Sequence, residues 1–319
     1  MKEKGRHIRL AVKGAAMGAA NVIPGVSGGT IAFITGIYEE LIDSIKSFDV
    51  KAFQLALGFK VKEFAEHTNL AFLIPLFAGV GVSIFSLAKA LEYCFINHET
   101  LTMAFFFGLI VASVYLVGKQ VKKWDSGAAF SLLVGAGIAI GIAFLRPAEA
   151  NDNPAWVFVC GIVAISSMIL PGLSGSYVLL IMGNYLLVLS AIGDLHFAVL
   201  IPMAVGCVVG LVAFSHLLSY IFKHFHDATV GLLTGFVFGS LAIIWPWKRT
   251  VHLKDEVGEF VLKRGEEKIV SGYEWLLPTV DGQFLKAVVL MLLGVVAVVL
   301  IGRFDDQKAA AKGDAPTEK

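Results

Sequence analysis

Little in this chain belongs to a soluble protein or to an enzyme. Charged residues make up only 16% of the sequence. The three cysteines, Cys94, Cys160 and Cys207, are scattered in or near apolar segments. Without CxxC or zinc spacing they read as packing residues rather than a disulfide framework or a metal site. No Walker loop, HExxH or paired acidic metal motif occurs. Gly25-Val26-Ser27-Gly28-Gly29 matches G-x-S-x-G letter for letter. A nucleophile elbow needs a preceding strand with histidine and acid partners, however, and here the flanks read as membrane helix. No enzyme activity, bound cofactor, metal or nucleic-acid partner is expected. The N-terminus is basic, but the apolar stretch after it is interrupted by Asn21 and Pro24-Gly25. No signal-peptide cleavage site follows, so the N-terminus reads as retained.

What the chain has instead is apolar sequence. Hydrophobic residues make up 57% of it and the mean hydropathy is +0.77. Several apolar runs are long enough to cross a bilayer, which makes this an integral, all-α polytopic membrane protein. Spans are expected at 70–93, 102–118, 127–145, 197–221, 229–246 and 284–302. Residues 46–69 form a polar connection, partly as an amphipathic helix. Residues 247–283 mix charge with short Val/Phe/Ile runs and read as an extramembrane, β-rich insertion, with strands around Glu259–Leu262 and Lys268–Val270. The Ala/Lys/Asp-rich tail 304–319 reads as disordered.

Two stretches interrupt this pattern. Asn21-Val22-Ile23-Pro24-Gly25-Val26-Ser27-Gly28-Gly29-Thr30 returns in altered form as Met168-Ile169-Leu170-Pro171-Gly172-Leu173-Ser174-Gly175-Ser176-Tyr177. Proline removes a backbone donor and glycine permits positive φ, so each copy reads as a break between two half-helices. In lipid such a break survives only where protein or a water-filled cavity satisfies the freed backbone. The segments 8–45 and 155–190 are therefore expected to be re-entrant hairpins, with two full spans as the alternative for the first. The second half-helix of the first hairpin is expected from about Thr30 to Ile45. Gly14 and Gly18, four residues apart, offer a face for close helix contact.

The two halves repeat. Pro24, Gly25, Ser27, Gly28, Gly36 and Tyr38 match Pro171, Gly172, Ser174, Gly175, Gly183 and Tyr185 at one constant offset. Pro75, Gly79, Tyr93, Gly108 and Ser113 match Pro202, Gly206, Tyr220, Gly235 and Ser240 at a second, because the first half has a longer connection after its hairpin. The first repeat covers 1–145 and the second 155–303, each one hairpin plus three spans. A hairpin does not change sides and three spans do, so the repeat is inverted. Charge agrees. With the N-terminus inside, 17 Lys/Arg fall on cytoplasmic segments, and most outer positives sit in the insertion. The expectation is N-in and C-in.

Paired broken helices point to a transporter's binding site. Ser27-Gly28-Gly29-Thr30 and Ser174-Gly175-Ser176 precede the second half-helices, where free N–H groups, hydroxyls and glycines suit an anion or phosphate. The same residues also suit plain helix capping. Gly25 and Gly172 permit the breaks and are substrate-binding candidates, since glycine lets an anion approach the backbone, and Asn21 either satisfies freed backbone or touches substrate. Lys89, inside a span, is a functional candidate or a snorkelling cation with Glu92 as partner. Its repeat counterpart His216 is a candidate proton-responsive group or a core histidine. Arg146 is a phosphate receiver at the outer mouth or an interfacial anchor. Tyr38, Tyr185, Trp245 and Trp247 read as interfacial or packing aromatics.

At Pro24–Tyr38 and Pro171–Tyr185, through the duplicated Pro-Gly-x-Ser-Gly followed by Gly-x-Tyr, the chain resembles the bacterial PopT-type polyprenyl-phosphate transporters over roughly residues 5–303. The resemblance implies a flippase in a bacterial cytoplasmic membrane that returns undecaprenyl phosphate from the outer to the inner leaflet, recycling the carrier for peptidoglycan and other envelope polymers. Contact between the lipid phosphate and the two Ser-Gly tips is the expectation that follows. A transporter or channel for a soluble anion, and a membrane lipid-phosphate enzyme, are the alternatives. Coupling to H+ or Na+ stays open, and the small-residue faces permit a homodimer.

Overall fold

The first hairpin begins as a helix that must lie very close to its neighbour. α1 (Lys2–Val22) packs along the first limb of α6 (Leu70–Gly118), where the Gly14 Cα faces the Leu76 carbonyl and the Gly79 Cα faces the Ala11 carbonyl, leaving no room for a Cβ at either position. Close backbone approach of this kind drives helix association where lipid removes the hydrophobic driving force. A computed structural model of the chain describes residues 2–22, 27–145, 147–252, 262–263, 267–268 and 270–313. Pro24 and Gly25 therefore lie outside the described residues, and the first break falls between α1 and α2 (Gly28–Ile34).

Six helices among the described residues are long and apolar enough to cross a membrane. Two of them belong to the 49-residue α6, bent at His98 (φ −142°, ψ 43°). The expected spans 70–93 and 102–118 are thus two limbs of one bent helix. The others are α7 (Ser126–Phe144), α11 (Phe197–His224), α12 (His226–Ile244) and the first part of α13 (Gly282–Gly313). The fold is an all-α polytopic membrane protein with a small β excursion. α13 continues to Gly313, into the stretch read as a disordered tail; its Ala and Lys residues favour helix.

Each hairpin closes on itself. Arg6 Nη2, near the start of α1, donates to Glu40 Oε1 of α3 (Tyr38–Lys46) at 2.8 Å, so both ends of the first hairpin lie on one face. In the second hairpin, formed by α8 (Pro154–Ile169), α9 (Gly175–Ile181) and α10 (Tyr185–Gly193), the Asn151 N–H donates to Asn184 Oδ1 at 2.9 Å. Asn184 Nδ2 returns a bond to the Asn151 carbonyl at 2.8 Å.

The expectation of one continuous second half-helix from Thr30 to Ile45 needs correction. That arm is broken again between α2 and α3, where Gly36 has φ +66°, and its counterpart between α9 and α10, where Gly183 has φ +82° and the axes meet at 110°. A positive φ ends a helix and is cheap only for glycine.

The contacts themselves repeat. Gly206 against Phe158 and Gly161 against Met203 rebuild, on α8 and α11, the pairings of Gly79 with Ala11 and Gly14 with Leu76. The third spans are exchanged between repeats. Gly108 on α6 meets the Met291 carbonyl of α13, and Gly294 meets Phe105; in the same register Gly235 on α12 meets Leu132 of α7, and Gly135 meets Leu232.

The polar connection 46–69 forms α4 (Val50–Leu57) and α5 (Val61–His67), with the Ala52 N–H and His67 holding the Asp49 carboxyl below the usual carboxylate range. In the insertion, β1 (Lys248–His252) pairs antiparallel with β4 (Val270–Trp275), Thr250 opposite Tyr273. A second pair, β2 (Leu262–Lys263) with β3 (Glu267–Lys268), meets the two expected strands at Leu262 and Lys268, while residues 259–261 and 269 of those strands lie outside the described residues. Trp275 Nε1 donates to the Ala242 carbonyl at 2.6 Å, and Trp245 stacks edge-on against Phe107 and Trp247, so these tryptophans pack.

Glycines on one helix separate tight packing from idle ones. Gly135→Ala, which drives a Cβ into the Leu232 carbonyl, is expected to lower stability by about 2 kcal/mol. Gly137→Ala on the same helix meets nothing within 4 Å and is expected to be neutral or stabilising by up to about 1 kcal/mol. Thermal unfolding in detergent checks the pair.

Candidate functional site

A broken helix leaves carbonyls at the end of its first arm and N–H groups at the start of its second. At the second break the carbonyls of Met168, Ile169 and Leu170 end α8, and the first hairpin reaches across to them. Tyr38 Oη donates to the Ile169 carbonyl at 3.0 Å, and Ser27 Oγ lies 3.4 Å from the Leu170 carbonyl and 3.5 Å from that of Met168. In the other direction the Gly172 N–H donates to Thr30 Oγ1 at 3.0 Å, with Thr30 fully buried. Gly29 seats against this junction: a Cβ there would stand 2.7 Å from the Ile169 carbonyl. Gly172, at φ +81°, lies flat against the Phe236 backbone of α12. The two tips therefore meet each other and the middle of α12.

The tips are chemically unequal. At the first, the donors are already used. The Gly28 N–H donates to Asn21 Oδ1 at 2.7 Å, the Gly29 N–H to Ser27 Oγ at 3.1 Å, and the Thr30 N–H to the Ser27 carbonyl at 2.9 Å. Ser27, Gly28, Gly29 and Thr30 are all buried. At the second, Ser174 is half-buried and Ser176 exposed, with their hydroxyls 3.0 Å apart. Ser174 makes no side-chain cap, and among the described residues no acceptor meets the N–H groups of Gly175, Ser176 or Tyr177. Gly175 is packed tightly on Ala164 and Met168, and Tyr177 Oη donates to the Ala143 carbonyl at 3.3 Å, near the C-terminal end of α7. Chemically, the second tip offers two hydroxyls and a short run of amide donors to an acceptor-rich group.

The face that carries Arg6 is bridged by charge. Ser219 Oγ on α11 donates to Asp43 Oδ1 at 2.8 Å, Lys46 Nζ donates to Ser219 Oγ at 3.3 Å, and Lys223 lies 3.7 Å from Asp43. His226 sits 3.8 Å from Glu39. Below this layer Phe33, Tyr38 and Phe222 cluster, Tyr38 with centroids 5.0 and 5.9 Å from the other two. Lys13 Nζ caps α2 through the Thr35 carbonyl at 2.6 Å. Each exposed ion pair is worth little alone; together they link the first hairpin to the opposite repeat.

The remaining sequence candidates fall elsewhere. Gly25 and Arg146, and the side chains of Lys89 and Glu92, lie outside the described residues. His216 is exposed on α11 and bonds the Val212 carbonyl of its own helix at 2.8 Å. Among the described residues no three His, Cys, Asp or Glu side chains gather as a metal site would require. Sequence reading missed two contacts and one buried hydroxyl. Tyr38, taken as a packing aromatic, is also the donor to Ile169. Thr30 acts as an acceptor for the other tip. Ser83, buried on α6 against Gly18, is the one buried side-chain oxygen among the described residues without a hydrogen-bond partner. The repeat gave no signal for it, since it is not among the matched positions.

Thr30→Val removes the acceptor of the buried Gly172 N–H at nearly constant shape. A loss of about 1–3 kcal/mol is expected by thermal unfolding, with Thr30→Ser restoring most of it.

Comparison with known proteins places these features in a family. Residues 17–261 match the family described as undecaprenyl phosphate translocase-like. A polyprenyl-phosphate transporter of Vibrio cholerae is 39% identical over 300 residues, covering 93% of this chain and 96% of that protein. One from Staphylococcus aureus is 33% identical over 253 residues, covering 74% and 85%. No solved structure matches. Both hairpin tips and the spans from α6 to α12 fall within the matched region, and the chain belongs to the undecaprenyl phosphate translocase-like family.

Proposed function

We propose that this protein carries a polyprenyl phosphate, undecaprenyl phosphate by family, from the outer to the inner leaflet, with the headgroup received at the Ser174–Ser176 tip. The observation that carries this reading is the inequality of two tips built from one repeated motif. A phosphate needs several donors at once and binds best where protein has not already used them. The second tip has such donors and the first has spent its own on the Asn21 side chain and on the hydroxyl and carbonyl of Ser27. The apolar tail needs no enclosed site, because it can stay in lipid.

The repeat supplies the return half of the cycle. Tyr185 and Ser174 stand to α1 as Tyr38 and Ser27 stand to α8. In the alternate state the second hairpin caps the end of α1, the first tip gives up its caps and opens toward the Arg6 face, and the Asp43–Ser219 bridge parts. The excess of Lys and Arg on that face supports placing it in the cytoplasm. Transport by this route leaves the lipid chemically unchanged, in keeping with relatives that are transporters rather than enzymes.

Movement of undecaprenyl phosphate between leaflets of proteoliposomes tests the reading. Ser27→Ala with Ser174→Ala is expected to abolish transport at normal expression. Ser174→Ala with Ser176→Ala is expected to slow it about tenfold or more, as loss of charge-assisted bonds does, and a short phosphate without a tail should not compete. Wild-type rates in both double variants would overturn the assignment of the tips.

A further inference from the structure

The first repeat carries an element that the second lacks. After α10 the second half turns into α11 through Asp194, Leu195 and His196. At the corresponding place the first half inserts α4 and α5, and this insertion separates the two constant offsets of the repeat. The pair is braced internally. Asp49 Oδ1 accepts from the Ala52 N–H at 2.9 Å and pairs with His67 Nε2 at 3.0 Å, and Phe48 meets Phe64 edge-on at 6.2 Å. It is also braced to the first hairpin. Asn69 Nδ2 donates to Ser44 Oγ at 3.0 Å and to Glu40 Oε1 at 3.2 Å.

α4 buries Ala52 and Leu55 against the protein, yet it is apolar on its other side as well. Val50, Phe53 and Leu57 follow the three-and-four spacing of a single helix face, and Phe53 and Leu57 are 64% and 65% exposed. Phe59, at the turn between the helices, is 90% exposed and holds φ +55°. A left-handed conformation is costly for a bulky residue, and water gains nothing from a phenyl ring pushed outward at that cost. Val61 extends the patch, and Lys51, Lys60 and Lys62 stand between the apolar residues, Lys60 3.2 Å from Glu63. The patch leads into the exposed apolar face of α6, at Ile74 and Phe77.

We propose that α4 and α5 form a foot that rests in the interface of the bilayer leaflet on the Arg6 face, with Phe53, Leu57 and Phe59 among the acyl-chain ends and Lys51 and Lys62 on anionic headgroups. Interleaved lysines and an apolar stripe are the composition of an interfacial helix, and lysine stems can lie along apolar surface with the charge in the headgroups. Through Asn69 the foot fixes the first hairpin relative to the membrane plane. The second hairpin has no such foot, so the two hairpins are held to the bilayer unequally.

The test uses the full chain in lipid nanodiscs, with Cys94, Cys160 and Cys207 replaced and one cysteine at position 53, 59 or, as control, 66 carrying an environment-sensitive fluorophore. All three positions are exposed, so a cysteine there leaves the core untouched. Lipids spin-labelled near the headgroup are expected to quench the labels at 53 and 59 about twofold or more beyond the label at 66, as for interfacial helices, with iodide giving the opposite order. Adding phosphatidylglycerol should strengthen the lipid quenching, and Lys51→Gln with Lys62→Gln should remove that dependence. Iodide quenching at 53 and 59 equal to that at 66 would overturn the proposal. So would labels shielded from both quenchers, which would mean that a second copy or a protein partner covers the patch.

Discussion

Inside a bilayer a cut helix is tolerated only if something other than water takes up the backbone groups the cut releases. That constraint organises this molecule. At the second break it is met by side chains from the far half of the sequence: Tyr38 and Ser27 for the carbonyls that end α8, and Thr30 for the Gly172 N–H. The two hairpins cannot be described separately, since each tip is part of the other's surroundings. The contact also explains why Thr30 is fully buried although it is polar, because its oxygen serves a donor that has no other partner.

Much of this architecture was legible in the letters. Length and apolarity give the spans, and Pro-Gly inside apolar sequence gives the breaks, because both signals are local and their physical meaning in lipid is narrow. What failed to show was relational. Gly36 and Gly183 were visible as repeat marks, but nothing nearby says that their φ is positive, so a bent arm read as a straight one. Gly108 and Gly235 were visible too, while their partners Met291 and Leu132 lie in sequence without a motif. Ser27 and Ser174 look alike on paper. Only the fold shows that one is buried in bonds and the other stands beside Ser176 with donors to spare.

Symmetry in the sequence and asymmetry in the structure are complementary. The repeated glycine contacts give both halves the same framework, and within that framework one tip is closed and one is open. A duplicated motif at two settings is what a carrier needs if a single headgroup is to be offered first to one face and then to the other. The Asp43–Lys223 ion pair, weak alone, and the Lys46–Ser219 hydrogen bond tie the first hairpin to α11, and the apolar α10 brings no charges to the corresponding place in the second repeat.

The exchange of third spans has a consequence for how the molecule is made. α6 leaves the ribosome early, but the helix that fits against Gly108 and Phe105 is α13, which emerges after α7 to α12. Until then the first half waits in the membrane with a backbone-deep groove along α6 open to lipid or to wrong helices. The second half is likewise completed by α7, which is made before any of it. Assembly is therefore a closing of two clasps at different times. The clasp with α13 closes after the one with α7, and premature termination before α13 would leave it open for the life of the polypeptide.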